Sequence, residues 1–135
     1  MRNKLYVVSW LLLICSLAFN IYCFIEKGDI DKEFASIDHD FKAEIGRIAS
    51  GISQNDINLA IEHASKADAL RKYTSFNDAN MANYPAVMVT LLNNLRSTGS
   101  LINNKEEIVN LLTELSHQPS HKKNADELLK LMNEN

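Results

Sequence analysis

The feature that most constrains this chain is a run of 21 uncharged, largely apolar residues from Leu5 to Ile25. An α-helix rises about 1.5 Å per residue, so this run reaches about 31 Å, which is enough to cross the hydrocarbon core of a bilayer. The run therefore predicts a single transmembrane helix. Aromatic side chains are common at both interfaces of such helices, and here they are Tyr6 and Trp10, then Phe19, Tyr22 and Phe24.

The charges that flank the run predict its orientation. Arg2 and Lys4 precede it, whereas mostly acidic residues follow it. Because basic flanks stay on the cytoplasmic side, we expect a cytoplasmic tail at 1–4, a signal-anchor helix at 5–25 and an extracytoplasmic domain at 26–135. The many Asn, Lys and Ile residues favour a bacterial source, so the expected location is the cell membrane of a bacterium.

A cleaved signal peptide is the alternative interpretation of the same run. Ser16 and Ala18 are small residues at the −3 and −1 positions of a cleavage site, and cleavage after Ala18 would release a secreted helical protein. The apolar run continues to Ile25, where a signal peptide is normally polar, and this favours the uncleaved anchor. The two cysteines, Cys15 and Cys23, both lie in the run, so disulfides cannot stabilise the domain.

The composition of residues 26–135 excludes a basic nucleic-acid binder. All 17 acidic residues of the chain lie there together with 12 basic ones, which gives a net charge of −5. Phosphate-binding surfaces are instead rich in Lys and Arg. We therefore expect no nucleic-acid partner.

Apolar spacing predicts that the domain is built only from helices, with no strand. Residues repeat at steps of three and four, which places them on one face of a helix. Local motifs mark the ends: Asp29 as the first cap, a Ser53-x-x-Asp56 start, a loop at 74–84, Pro85 in a first turn, Gly99 as a stop, an Asn104-x-x-Glu107 capping box, and a last helix from Ser120 or Asn124 after Pro119.

The expected fold class is all-α, with a single N-terminal transmembrane helix followed by a small bundle of four to five helices. The short connections favour antiparallel neighbours. An Ala-rich face at Ala60, Ala64 and Ala67 would let a neighbouring helix approach closely. The predicted core consists of Phe34, Ile37, Phe41, Ile45, Ile48, Ile57, Ile61, Leu70, Met88, Leu91, Leu92, Leu95, Ile108, Leu111, Leu112, Leu115, Leu128 and Leu129.

The sequence contains little that points to catalysis. His117 and His121 have a spacing that suits a metal on one helix face, but Pro119 lies between them. The cluster Asp38-His39-Asp40 flanks the apolar stripe and is expected to be solvated. The sequence has no Gly-rich phosphate loop, no nucleophile elbow and no cysteine outside the apolar run. We therefore expect no enzyme activity, no cofactor and no metal.

Two groups of residues are candidates for binding. Phe76, Met81 and Tyr84 are apolar residues in a polar loop, and they either form an exposed recognition loop or pack onto the bundle. The second group is a stripe that could pair the first helix between copies and so form a homo-oligomer: Ile30, Phe34, Ile37 and Phe41.

These observations favour a non-enzymatic, membrane-anchored helical module that binds another protein at the membrane. Its role would be that of a regulator, an assembly factor or an immunity-type inhibitor. The first alternative is an extracytoplasmic ligand-sensing subunit that signals through a membrane partner. The second is a self-associating spacer.

Overall fold

The computed structural model describes residues 2–76 and 83–134, and this part of the chain contains five helices and no strand. The prediction of an all-α fold with a long apolar N-terminal helix is confirmed. The helices are α1 (Arg2–Ser53), α2 (Ile57–Arg71), α3 (Tyr84–Thr98), α4 (Lys105–His117) and α5 (Lys122–Asn133).

The chain divides into two compact units, Met1–Phe34 and Ala35–Asn135. The first unit is the N-terminal part of α1, and its large apolar side chains from Trp10 to Ile25 are exposed. Among the described residues, α1 is the one helix that is long and apolar enough to cross a membrane. Asp29, predicted as an N-cap, lies inside α1 because no proline interrupts the helix before Ser53.

The second unit has a core to which the C-terminal part of α1 contributes four large apolar side chains. Phe41, Ile45, Ile48 and Ile52 recur every three or four residues and are completely buried. Each such side chain stabilises the fold by about 1.5–3 kcal/mol. The other helices complete the core with Ala60, Ala64, Ala67, Tyr84, Met88, Leu92, Leu95, Ile108, Leu111, Leu112, Leu115, Ala125, Leu128, Leu131 and Met132.

The contact between α1 and α2 explains why the core differs from the predicted one. A Cβ atom at Gly51 would lie 2.7 Å from the backbone nitrogen of Ala60, so the two backbones approach closely. Small residues on α2 therefore form its interior face, as the Ala-rich pattern predicts, and the larger Ile57 and Ile61 are half-buried at its edges. Prediction of Phe34 as a core residue is wrong, since its side chain is 44% exposed. The other predicted core residues that are only half-buried are Ile37, Leu70, Leu91 and Leu129.

Several predicted helix ends are confirmed, and others have a different capping residue. Pro85 lies in the first turn of α3, and Gly99 ends that helix in the left-handed conformation at φ 67°. Asp56 caps α2, because its carboxylate accepts a hydrogen bond from the Leu59 amide at 3.0 Å. Asn104 precedes α4 without a side-chain cap bond. His121 caps α5 by accepting from the Asn124 amide at 3.4 Å.

Candidate functional site

The segment after α2 begins with a direct attachment to α1. Asp38 accepts a hydrogen bond from the Ser75 amide at 2.8 Å, and the Ser75 hydroxyl donates to the same carboxylate. The next residue, Phe76, is half-buried, with its ring 6.4 Å from that of Phe41 and the Lys42 ammonium 5.0 Å from its centre. Asp38, expected to be solvated, therefore holds the start of this loop.

The three residues of the predicted recognition loop have different surroundings. Phe76 packs against the core, and Tyr84 is a completely buried residue at the start of α3. Met81 lies outside the described residues. Burial raises the pKa of the Tyr84 phenol, and its hydroxyl has no hydrogen-bond partner among the described residues. Tyr84 therefore presents no side-chain surface to a partner.

A buried acid–imidazole pair joins α1 to α2. Glu44 and His63 are only 7% and 9% exposed, and His63 Nδ1 lies 2.5 Å from Glu44 Oε2. The Arg47 guanidinium, one turn along α1, donates to the other oxygen of the same carboxylate. Since these groups satisfy one another, the pair fixes the register of α1 against α2.

Sequence reasoning missed this pair because its members are 19 residues apart in the chain. One clue was present: Glu44 follows Phe41 by three residues, and His63 follows Ala60 by three. Residues three apart share a helix face, so both polar side chains fall on interior faces. A polar residue at such a position needs a partner.

The two histidines with metal-binding spacing do not share a helix. α4 ends at His117 and α5 begins after His121, as Pro119 predicts. Both are exposed at a shallow cavity of about 280 Å³, also lined by Glu114 and Asn124. Glu114 accepts a hydrogen bond from the Asn124 amide group at 2.6 Å. Within residues 2–76 and 83–134, no group of three or more His, Cys, Asp or Glu side chains is arranged to hold a metal.

The predicted helix-pairing stripe changes from exposed to buried along α1. Ile30 and Phe34 are 46% and 44% exposed, Ile37 is half-buried, and Phe41 is completely buried in the core of the second unit. Only the N-terminal part of the stripe therefore offers an open apolar surface.

That open surface also carries acidic side chains. A shallow cavity of about 320 Å³ on α1 is lined by Tyr22, Ile25, Glu26, Asp29, Ile30 and Glu33. We call these six residues together with Phe34 the acidic apolar face. Of these, Glu26, Ile30, Glu33 and Phe34 recur at steps of three and four, so they lie on one side of α1. This face is therefore a candidate binding site.

Comparison with known proteins yields no matching family model, no similar curated protein and no similar solved structure.

Proposed function

We propose that this protein is a non-enzymatic, membrane-anchored helical module that binds another protein at the outer surface of a bacterial cell membrane. One observation carries the proposal. The single helix α1 supplies both an exposed apolar segment and four completely buried residues of the bundle core. An apolar helical surface of this length is costly in water and favourable in lipid.

The orientation of the anchor follows from the flanking charges. Arg2 and Lys4 precede the apolar segment, while residues 26–40 carry six acidic side chains and two lysines. Basic residues are retained in the cytoplasm, which leaves the bundle outside the cell. An anchored bundle meets its partner within a thin layer at the membrane, and this raises their effective concentration.

The proposal is tested by photo-crosslinking the full-length protein in the cells that produce it. A photoreactive phenylalanine analogue is introduced singly at exposed positions of the bundle, Thr90, Asn110 and Glu127, and at Phe34 on α1. If the protein is a binding module, we expect at least one of these positions to give an adduct with another protein. Positions that give adducts should capture the same partner. The analogue at the buried Met88 serves as the control and gives no adduct.

If all four exposed positions yield no adduct with another protein, while the protein is present in the membrane fraction, then it does not act by binding a protein partner. The mass of the adducts also identifies pairing between copies, since that product has twice the mass of the chain.

A further inference from the structure

We infer that the acidic apolar face of α1 is the partner-binding surface, and that its ligand is a basic amphipathic helix of another membrane-associated protein. This inference rests on the proposed function and specifies the partner's chemistry. A helix that lies beside α1 would cover the apolar side chains and place its Lys or Arg residues against the carboxylates.

The first supporting observation is the position of the charge. Residues 26–40 have a net charge of −4, whereas the much longer stretch 41–135 has a net charge of −1. The acidity of the domain is therefore concentrated immediately after the apolar segment. Such a concentration of one sign attracts an oppositely charged partner and steers its approach.

The second observation is the geometry of the carboxylates. Glu26 and Glu33 lie four residues before and three residues after Ile30, so they flank it on the same helix face. Among the described residues, neither of these carboxylates takes part in an ion pair, whereas Asp29 is paired with Lys32 at 3.1 Å. Two uncompensated acids therefore border the exposed apolar side chain.

The third observation is the exposed apolar area itself. Ile30 and Phe34 are exposed, whereas every large apolar core residue that α1 contributes to the second unit is completely buried. The Glu26 and Glu33 carboxylates are next to these apolar groups. A matching helix would present apolar residues three and four apart with basic residues at their sides, as in other helix-to-helix recognition.

Charge complementarity favours this occupant over a second copy of the chain. In a parallel pair with Ile30 and Phe34 at the seam, Glu26 would face Asp31 of the other copy, and Glu33 would face Asp38. Both contacts join like charges, which destabilises the pair. An anionic lipid surface would be repelled for the same reason.

The test uses the full-length protein with the photoreactive analogue at Phe34, in the cells that produce it. The captured segment of the partner is identified by mass spectrometry of the cross-linked peptides. We expect a segment with net positive charge and helical apolar spacing. In the Glu26→Gln/Glu33→Gln variant we expect the adduct yield to fall about fivefold, since each of the two exposed charge pairs contributes about a factor of two.

A matched control distinguishes the effect of removing carboxylates from the acidic apolar face from the effect of removing two exposed acids elsewhere. The Glu106→Gln/Glu107→Gln variant removes two exposed acids from the first turn of α4 and should leave the adduct yield unchanged. All four side chains are exposed, so helical circular dichroism should match that of the unmodified protein. Equal loss of adduct in both variants would overturn the inference.

The remaining outcomes distinguish this inference from the proposed function. Adducts from Thr90, Asn110 or Glu127 without one from Phe34 overturn the inference and leave the proposed function standing. A neutral or acidic captured segment, a lipid adduct alone, or a product of twice the chain mass from Phe34 also overturns it. The absence of a protein adduct at every position overturns both.

Discussion

Glu44 is held inside the second unit by polar contacts from two helices. His63 on α2 and Arg47 on α1 both contact its carboxylate. A buried carboxylate without such partners would carry a desolvation penalty of several kcal/mol. The three residues therefore form one interdependent group, although they are distributed over two helices.

We expect Glu44→Ala to lower the free energy of unfolding by about 2–4 kcal/mol, because it leaves the polar ring of His63 buried without its partner. Arg47→Ala is the control. The Arg47 side chain is 57% exposed, so water replaces its contact and the loss should stay below about 1 kcal/mol. The measurement is urea unfolding of the full-length protein in detergent micelles, followed by far-UV circular dichroism. Equal losses in the two variants would show that the His63 contact does not matter.

Tyr84 is completely buried at the start of α3. Its hydroxyl is buried and has no hydrogen-bond partner among the described residues, so it carries a desolvation cost without a compensating bond. Tyr84→Phe should therefore leave stability at neutral pH unchanged or raise it by up to about 1 kcal/mol. Thermal unfolding of the two proteins in the same detergent measures the difference.

The same substitution has a predictable pH dependence. Burial raises the pKa of the folded-state phenol, while the unfolded phenol titrates at about 10. Folding therefore favours the neutral phenol. The free energy of unfolding falls as the pH rises above about 10, because the unfolded phenol then loses its proton. Tyr84→Phe should be less sensitive to alkali than the unmodified protein. Tyr73→Phe, at an exposed tyrosine, is the control that should show no such protection. An equal loss of stability with rising pH in all three proteins would contradict burial of the neutral phenol.

Among the helices, α1 and α2 approach each other closely near the turn that joins them. Gly51 and Ala60 are in contact because neither has a side chain beyond a methyl group. Gly46 lies on the same helix, but a Cβ atom there would be 3.8 Å from the Ser116 Cβ, which is ordinary contact. The two glycines of one helix thus have opposite packing environments.

We expect Gly51→Ala to lower the free energy of unfolding by about 1–3 kcal/mol, because the new methyl group forces the two backbones apart. Gly46→Ala should instead raise it by about 0.5–1 kcal/mol, since alanine is the better helix former and has room. Urea unfolding of both variants provides the comparison. Stabilisation by Gly51→Ala would show that α1 and α2 are not in close contact.

Helix ends were less predictable than helices. The pattern Ser53-x-x-Asp56 correctly indicates a helix start, yet Ser53 ends α1 and Asp56 caps α2. Either residue type caps well, so the local sequence cannot decide which of them leaves the helix. That choice depends on Asn55, whose backbone turns at a positive φ of 59°.

At the scale of the whole molecule, the apolar part of α1 should hold the protein in a membrane. We expect Leu13→Arg/Leu17→Arg to move it from the carbonate-resistant membrane fraction to the soluble fraction, because each central arginine costs about 2.5–3.5 kcal/mol of insertion free energy. Thr90→Arg/Asn110→Arg, on exposed positions of the bundle, is the matched control and should remain in the membrane. The mass of the mature protein tests the alternative of a cleaved signal peptide, since loss of residues 1–18 would contradict the anchor.

The helical class, the long apolar helix and most of the large core residues were predictable from the sequence, because each depends on spacing within one segment. The burial of Phe41 and the exposure of Phe34 were not predictable, since both belong to one continuous stripe and differ only in tertiary packing. The tertiary structure also revealed the Glu44–His63 pair. These features depend on which helix lies against which, and periodicity along a single helix carries no information about its neighbour.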